Sequence, residues 1–384
     1  MRFRHPDGST VHLAYCTNVH PAEDVEGMLG CLARFAWPVR EALGAARLGV
    51  GLWLPAPAAA RLAADPAGID RLRSELTARH LEVVTLNGFP YRGFSEPVVK
   101  HAVYQPDWTD PARAAYTLDL ARVLAGLLPD DVTQGSISTL PLAWRKPWDD
   151  ERAQAAASGL AGVAEGLAKL AGETGRTVRL GLEPEPGCVL ERAAQAAPVL
   201  GALAPEWIGV CLDACHLAVA FEPLQPALDG LADAGVAVVK AQVSSALRAA
   251  ESRLAARVNR LRPFVEPRFL HQTRERTRTV VVGVDDLDQA VAGALPGVGE
   301  WRVHFHLPVH AGEGTTQGEL TAFLDALVGG STPVTHHLEI ETYTWSVLPE
   351  AERPVDDAGL VAGLAKELAW TRDRLLALGL EELL

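Results

Sequence analysis

At three points in this chain an acid stands where an apolar run gives out. Glu183 follows VRLGL, with Pro184 and Glu185 behind it. Asp213 follows IGVCL, and His216 comes three residues later. Glu339 and Glu341 sit in HHLEIETY. Carboxylates gathered in apolar surroundings raise one another's pKa unless a cation neutralises them. A bound divalent ion is the simplest resolution. Oxygen-rich ligation with one or two imidazoles suits Mn2+, Mg2+, Co2+ or Zn2+. Such an ion acts as a Lewis acid on a carbonyl or hydroxyl. Glu339 and Glu341 face one side of a strand, because strand period is two. Glu341 is preferred as ligand because it lies nearer the strand's carboxyl end. Asp213-x-x-His216, taken alone, equally fits an Asp that caps a helix which His216 enters.

Neutral polar residues collect in similar places. Asn18 and His20 follow the run VHLAYCT, and Asn87 follows LEVVTL. His304 and His306 alternate onto one face of WRVHFHLPV, and His271 lies in FLHQTR. With His216, these are candidates for binding a polar substrate. The bland reading is that His304 and His306 line a small sheet of their own. Lys240 is one of five lysines and sits inside the apolar run VAVVKAQV, two residues before Gln242. It would be an interior ion-pair partner, or else a carbonyl-polarising group or Schiff-base nucleophile. Cys211 and Cys215 flank Asp213 at a spacing that makes no zinc motif.

What must position these residues is an alternation that runs the length of the chain. Short β-branched or apolar runs recur at 11–17, 47–54, 81–89, 132–140, 178–185, 208–215, 236–243, 301–309 and 336–343. Between them apolar residues fall at helical spacing, as in Tyr116, Leu120, Val123 and Leu127, or Leu160, Val163, Leu167 and Leu170. Strands alternating with helices imply parallel pairing with right-handed crossovers. About eight such units in 384 residues favour a closed (β/α)8 TIM barrel. No G-x-G-x-x-G follows the first run, which argues against a dinucleotide fold. Nine runs are one too many for eight strands. The spare falls in 246–310, read as an insertion after strand seven near the barrel mouth, within a single domain spanning 1–384. In such a barrel the active site forms at the carboxyl ends of the strands, which is where the acids stand.

Bulk properties narrow the class. The formal net charge of −13 disfavours nucleic acid as a partner. Between Arg248 and Arg278, however, nine arginines meet three acids. That stretch reads first as a solvated face, and second as a grip for a phosphate or carboxylate on a metabolite. Five scattered cysteines suit a reducing compartment. The opening residues carry no apolar h-region and no run is long enough to span a bilayer, so a cytoplasmic protein is expected.

The acids on strands five, six and eight resemble the xylose-isomerase-like barrels, which include sugar-phosphate isomerases, ketose epimerases and barrel-type abasic endonucleases. A narrower resemblance rests on AYCTNVHPAED, LNGFPYRGF, VKHAVYQPDW, SISTLPL, CLDACHLAV, QVSSAL, LHQTR, WRVHFHLPV and HHLEIETYTW. These blocks are similar to the metabolite traffic protein EboE family, encoded in operons linked to export of specialised metabolites. The resemblance implies a metal-dependent isomerase or epimerase acting on a small polyhydroxylated or phosphorylated metabolite. It also implies self-association and a membrane protein of the same operon as partner. Glu183, Asp213 and Glu341 match metal-ligand positions, and Glu183 and Glu341 the acid and base. Where ketose epimerases place a histidine on strand seven, this chain has Gln242. Either Gln242 ligates through its carbonyl oxygen, or His271, His304 or His306 replaces it. The alternatives from other classes are a non-catalytic metabolite carrier and a metal-free lyase built on Lys240.

Overall fold

The apolar runs pair side by side and in parallel. In the computed structural model, which describes residues 1–251 and 253–383, eight of them close a barrel. Its strands are Thr10–Cys16, Leu48–Trp53, Thr85–Asn87, Gln134–Thr139, Thr177–Leu182, Ile208–Asp213, Val238–Val243 and His337–Ile340. Each pairs in parallel with the next, and the eighth returns to the first. The third is introduced by the two-residue strand Leu81–Glu82. The (β/α)8 barrel expected from the alternation is the fold that forms.

The helices cover the barrel through the stripes their spacing sets. Pro111–Leu127 buries Tyr116, Leu120, Val123 and Leu127. Asp150–Thr174 buries Leu160, Val163 and Leu167, and Asp357–Ala377 buries Leu364, Leu368 and Leu375. Each such side chain contributes about 1.5–3 kcal/mol by leaving water. The Asp149 carboxylate caps the helix 150–174, and Gly175 ends it in the left-handed region that a residue without Cβ adopts at little cost.

The ninth run does not enter the barrel. Glu300–Leu307 lies in a separate antiparallel sheet with Ser245–Ala249, Thr273–Arg276 and Val281–Val284. Only Ser244 separates the end of the seventh barrel strand from the start of this sheet. The inserted sheet therefore stands directly on the carboxyl-end mouth and delivers its own side chains there.

Candidate active site

Strand register sets the level of each inward-facing residue. Asp213 on the sixth strand is in register with Gln242 on the seventh, and Gln242 with Glu339 on the eighth. Glu341 lies one residue beyond the eighth strand's end at Ile340, and so reaches the mouth. Glu183 follows Leu182, the last residue of the fifth strand, and its amide is held by the Thr139 carbonyl. One ligand-type oxygen each from Glu183, Asp213 and Glu341 lie within 4.8 Å of one another.

This cluster is buried and short of partners. Glu183 Oε2 and Asp213 Oδ2 have no hydrogen-bond partner. The other Asp213 oxygen accepts from the His216 amide at 2.9 Å and from Ser244 Oγ at 2.8 Å. Capping and site-building are thus the same act here. Glu341 Oε1 accepts from the amides of both Asn18 and Asn87, each at 2.7 Å. Burial, then the charges of Glu341 and Asp213, hold the Glu183 carboxyl well above its usual range. Burial, then Asp213 and Glu339, push Glu341 up to about 8. Acids so crowded, with buried oxygens left unpaired, fit a divalent cation. Gln242 is fully buried, and neither end of its amide has a protein partner. It too is free to offer an oxygen.

Above the acids opens a pocket of about 500 Å³, lined by Glu183, Glu341, Asn18, His216, His304 and His306. Its outer wall is aromatic. Phe94, Phe269 and Tyr343 pack together with ring centroids 4.9–5.3 Å apart. His216, His304 and His306 converge, with His304 Nε2 lying 3.0 Å from His216 Nε2 and 3.2 Å from His306 Nε2. Burial lowers the pKa of all three, that of His216 to about 4. The inserted sheet thus supplies part of the wall.

Besides Asp213 and Gln242, four candidates stand off the pocket lining. Asn87 acts behind it, through Glu341. His20 stacks on Phe35 at 4.3 Å, and its Nε2 meets the Tyr15 hydroxyl at 3.1 Å. His271 lies behind the wall, where its two nitrogens contact the His304 carbonyl at 2.8 Å and Glu266 at 2.7 Å. It fixes the strand that carries His304 rather than meeting a ligand. Lys240 is fully buried beneath the mouth and paired with Glu339. Burial would lower its pKa, but the Glu339 charge outweighs that and raises it. An ammonium held so tightly is a poor Schiff-base nucleophile.

None of the nine arginines lines the pocket among the described residues. Several are engaged elsewhere: Arg248 with Glu300, Arg260 with Glu251, and Arg274 with Glu191. The one lysine on the lining, Lys100, pairs with Asp286.

The structure also adds residues beyond the candidates. Glu185 lines the pocket and accepts from the Tyr104 hydroxyl at 2.7 Å, and burial raises it to about 8. Gln272 joins Tyr104 to His304. Glu185 stood in plain view two residues after Glu183. Tyr104 and Tyr343 lay inside quoted sequence blocks, but nothing in their spacing marked them as pocket residues.

Fold and site together define a (β/α)8 barrel with an acid-floored mouth, of the xylose isomerase-like kind. The family model described as xylose isomerase-like TIM barrel matches residues 42–265, more than half of the chain, and the chain belongs to that family. Among solved structures, it is similar to an L-ribulose 3-epimerase at 16% identity and TM-score 0.50, covering 96% of this chain and 95% of that one. A D-psicose 3-epimerase studied with D-fructose matches at 14% and 0.50, covering 94% and 99%. A putative sugar phosphate isomerase/epimerase from Anabaena variabilis matches at 12% and 0.53, covering 96% and 100%. At these identities the likeness is one of fold. No curated protein matches the chain by sequence. No helix among the described residues is long and apolar enough to cross a membrane.

Proposed function

We propose that the protein is a metal-dependent isomerase or epimerase of a small polyhydroxylated metabolite. The observation that carries this reading is the trio Glu183, Asp213 and Glu341, buried under an open pocket with oxygens left unpaired. These three, with Gln242 as the fourth donor, would hold a divalent ion of the Mn2+, Mg2+, Co2+ or Zn2+ kind. Bound there, the ion would supply Lewis-acid polarisation of a substrate carbonyl or hydroxyl.

The chain's own groups do the rest. Burial and neighbouring carboxylates make Glu183 and Glu341 hold protons more tightly than ordinary carboxyls, and these two would be the proton-carrying groups. One would take the proton from a carbon next to the carbonyl, and the other would return a proton there. Asn18 and Asn87 fix the rotamer of Glu341. His216, His304 and His306 face the hydroxyls of the substrate, and the aromatic wall excludes water. The L-ribulose and D-psicose 3-epimerases that share the fold agree with this chemistry. Among the described residues the lining holds no unpaired lysine or arginine, which favours an uncharged metabolite over a phosphorylated one.

The sequence blocks supply the setting: membership of the EboE family, a place in specialised-metabolite processing, self-association and a membrane partner from the same operon. A carrier role is the second reading, and the aromatic wall favours it, since Phe94, Phe269 and Tyr343 would grip an apolar portion that simple sugars lack. The test is solvent deuterium exchange into a panel of ketoses with Mn2+ present, followed by NMR. Wash-in at one carbon, lost in Glu183→Gln, is the expected result. Tight binding of a metabolite with no exchange, unaffected by chelation, would leave only the carrier.

A further inference from the structure

We infer that the far end of the inserted sheet is a docking surface for an anionic lipid membrane, where Leu254, Val280 and Val298 enter the headgroup layer and Arg253, Arg276 and Arg278 meet the phosphates. Three segments come together there: the start of the helix Leu254–Leu261, the hairpin turn 277–280 and the loop 296–299. Leu254 packs against Gly297, where an added Cβ would lie 2.8 Å from its Cδ2. A Cβ on Gly299 would lie 1.9 Å from the Arg276 carbonyl oxygen. The Thr277 amide closes the turn on the Val280 carbonyl at 2.9 Å. The three pieces therefore form one continuous surface.

Its apolar side chains are held out in water rather than folded under. Val298 is 75% exposed, Val280 55% and Leu254 41%. Val298 sits on a braced loop, because Glu275 accepts from the amides of Gly297, Val298 and Gly299 at 2.6–2.8 Å. Single exposed valines are ordinary on a surface. Here they stand together among cations. Segments 253–256, 276–281 and 296–299 hold three arginines and no aspartate or glutamate, in a chain of net charge −13. Glu275, next in sequence to Arg276, is buried and spent on the loop. Among the described residues, Arg253 and Arg278 are exposed and enter no ion pair. Arg276 reaches Glu300 at 3.7 Å, and that acid is already held by Arg248 and Arg302.

The occupant follows from the charge and the shape. A second copy would set these arginines against their own images, and like charges face to face oppose association. An anionic bilayer attracts them, and apolar side chains projecting from loop ends enter its headgroup layer as an amphipathic face does. The acidity of the rest of the chain does not prevent this. The strand Glu300–Leu307 runs from the tip to the mouth, so about 20 Å separates the surface from His306. That exceeds the Debye length of about 8 Å at physiological salt, so the acids at the mouth are screened from the lipid.

The inference concerns this surface alone and does not depend on the isomerase reading. It is tested by floating the full-length chain with vesicles of phosphatidylglycerol and phosphatidylcholine in equal parts, and with vesicles of phosphatidylcholine alone. Binding to the mixed vesicles only is expected, and it should fall in about 1 M salt, where the Debye length is about 3 Å. Each arginine near such a surface contributes about five-fold in affinity, so Arg253→Ala with Arg278→Ala should weaken binding about 25-fold. Both side chains are exposed, so the melting temperature should stay as in wild type. Val298→Ser should weaken binding at low salt as well, where the charges are intact. If a variant fails to fold, the wild-type comparison across the two vesicles and two salt levels decides alone. No binding to the mixed vesicles, equal binding to pure phosphatidylcholine, or binding unchanged in the folded arginine variant would overturn the inference. So would a dimer in solution that the arginine variant dissolves, which would make the surface a contact between copies. Retention on immobilised polyglutamate without vesicle binding would assign it to an acidic protein instead.

Discussion

The side-chain amide of Asn18 donates a 2.7 Å hydrogen bond to Oε1 of Glu341, a residue 323 positions later in the chain. Asn87 donates to the same oxygen. Two donors on one oxygen leave the other free to face the site. Outer partners of this kind orient a ligand, and their loss costs about 10–100-fold in metal affinity or activity. Asn18→Ala should weaken Mn2+ binding by a factor in that range, read by calorimetric titration, with the melting temperature little changed. Binding equal to wild type would remove Asn18 from the site.

Lys240 and Glu339 form an ion pair with no solvent exposure on either side chain. Removing one partner strands the other charge, at a cost of about 3–5 kcal/mol. Lys240→Met should shift the urea midpoint accordingly. Replacing both, with Lys240→Met and Glu339→Leu, should recover most of that loss. Borohydride in the presence of a ketose should leave Lys240 unlabelled, and labelling would revive the lyase alternative.

Gly51 faces the same carboxylate from the second strand. A Cβ there would fall 1.3 Å from Glu339 Oε1. Gly51→Ala must push Glu339 off Lys240, and overpacking of this sort costs about 1–3 kcal/mol before the pair's own loss. A denaturation midpoint matching wild type would mean that the barrel floor is looser than its packing indicates.

Stability should depend on pH through the raised carboxyls. Burial lifts Glu341 and Glu185 to about 8 and Glu367 to about 7, from an ordinary 4.5. The folded chain then holds protons that the unfolded chain releases. Their contribution is full below about 4.5 and is lost as pH rises through 7 to 8. His216 and His20, lowered to about 4 and about 3, act in the opposite sense and only below about 6.5. Between pH 6.5 and 8.5 the melting temperature in EDTA should therefore fall. Mn2+ should flatten the decline, because a cation replaces the proton at Glu341. A metal-free melting temperature that rises across this window would contradict the buried, protonated state of these acids.

The sequence by itself determined the barrel. Alternating apolar runs and helical stripes permit few packings, and burial enforces the register once a strand has one inward face. It also placed Glu183, Asp213 and Glu341 at strand ends, since a strand's last inward residue faces the mouth whatever surrounds it. Tertiary structure decided what lies next to what. His304 and His306 reach the mouth only because the inserted sheet starts one residue past the seventh strand and folds back over it. His20 and His271 had the same local credentials, yet one packs beneath a phenylalanine and the other braces a strand. The choice between Glu339 and Glu341 turned on Lys240, which draws Glu339 into an interior pair and leaves Glu341 to the pocket. Such outcomes rest on contacts between residues far apart in the chain, and no local periodicity encodes them.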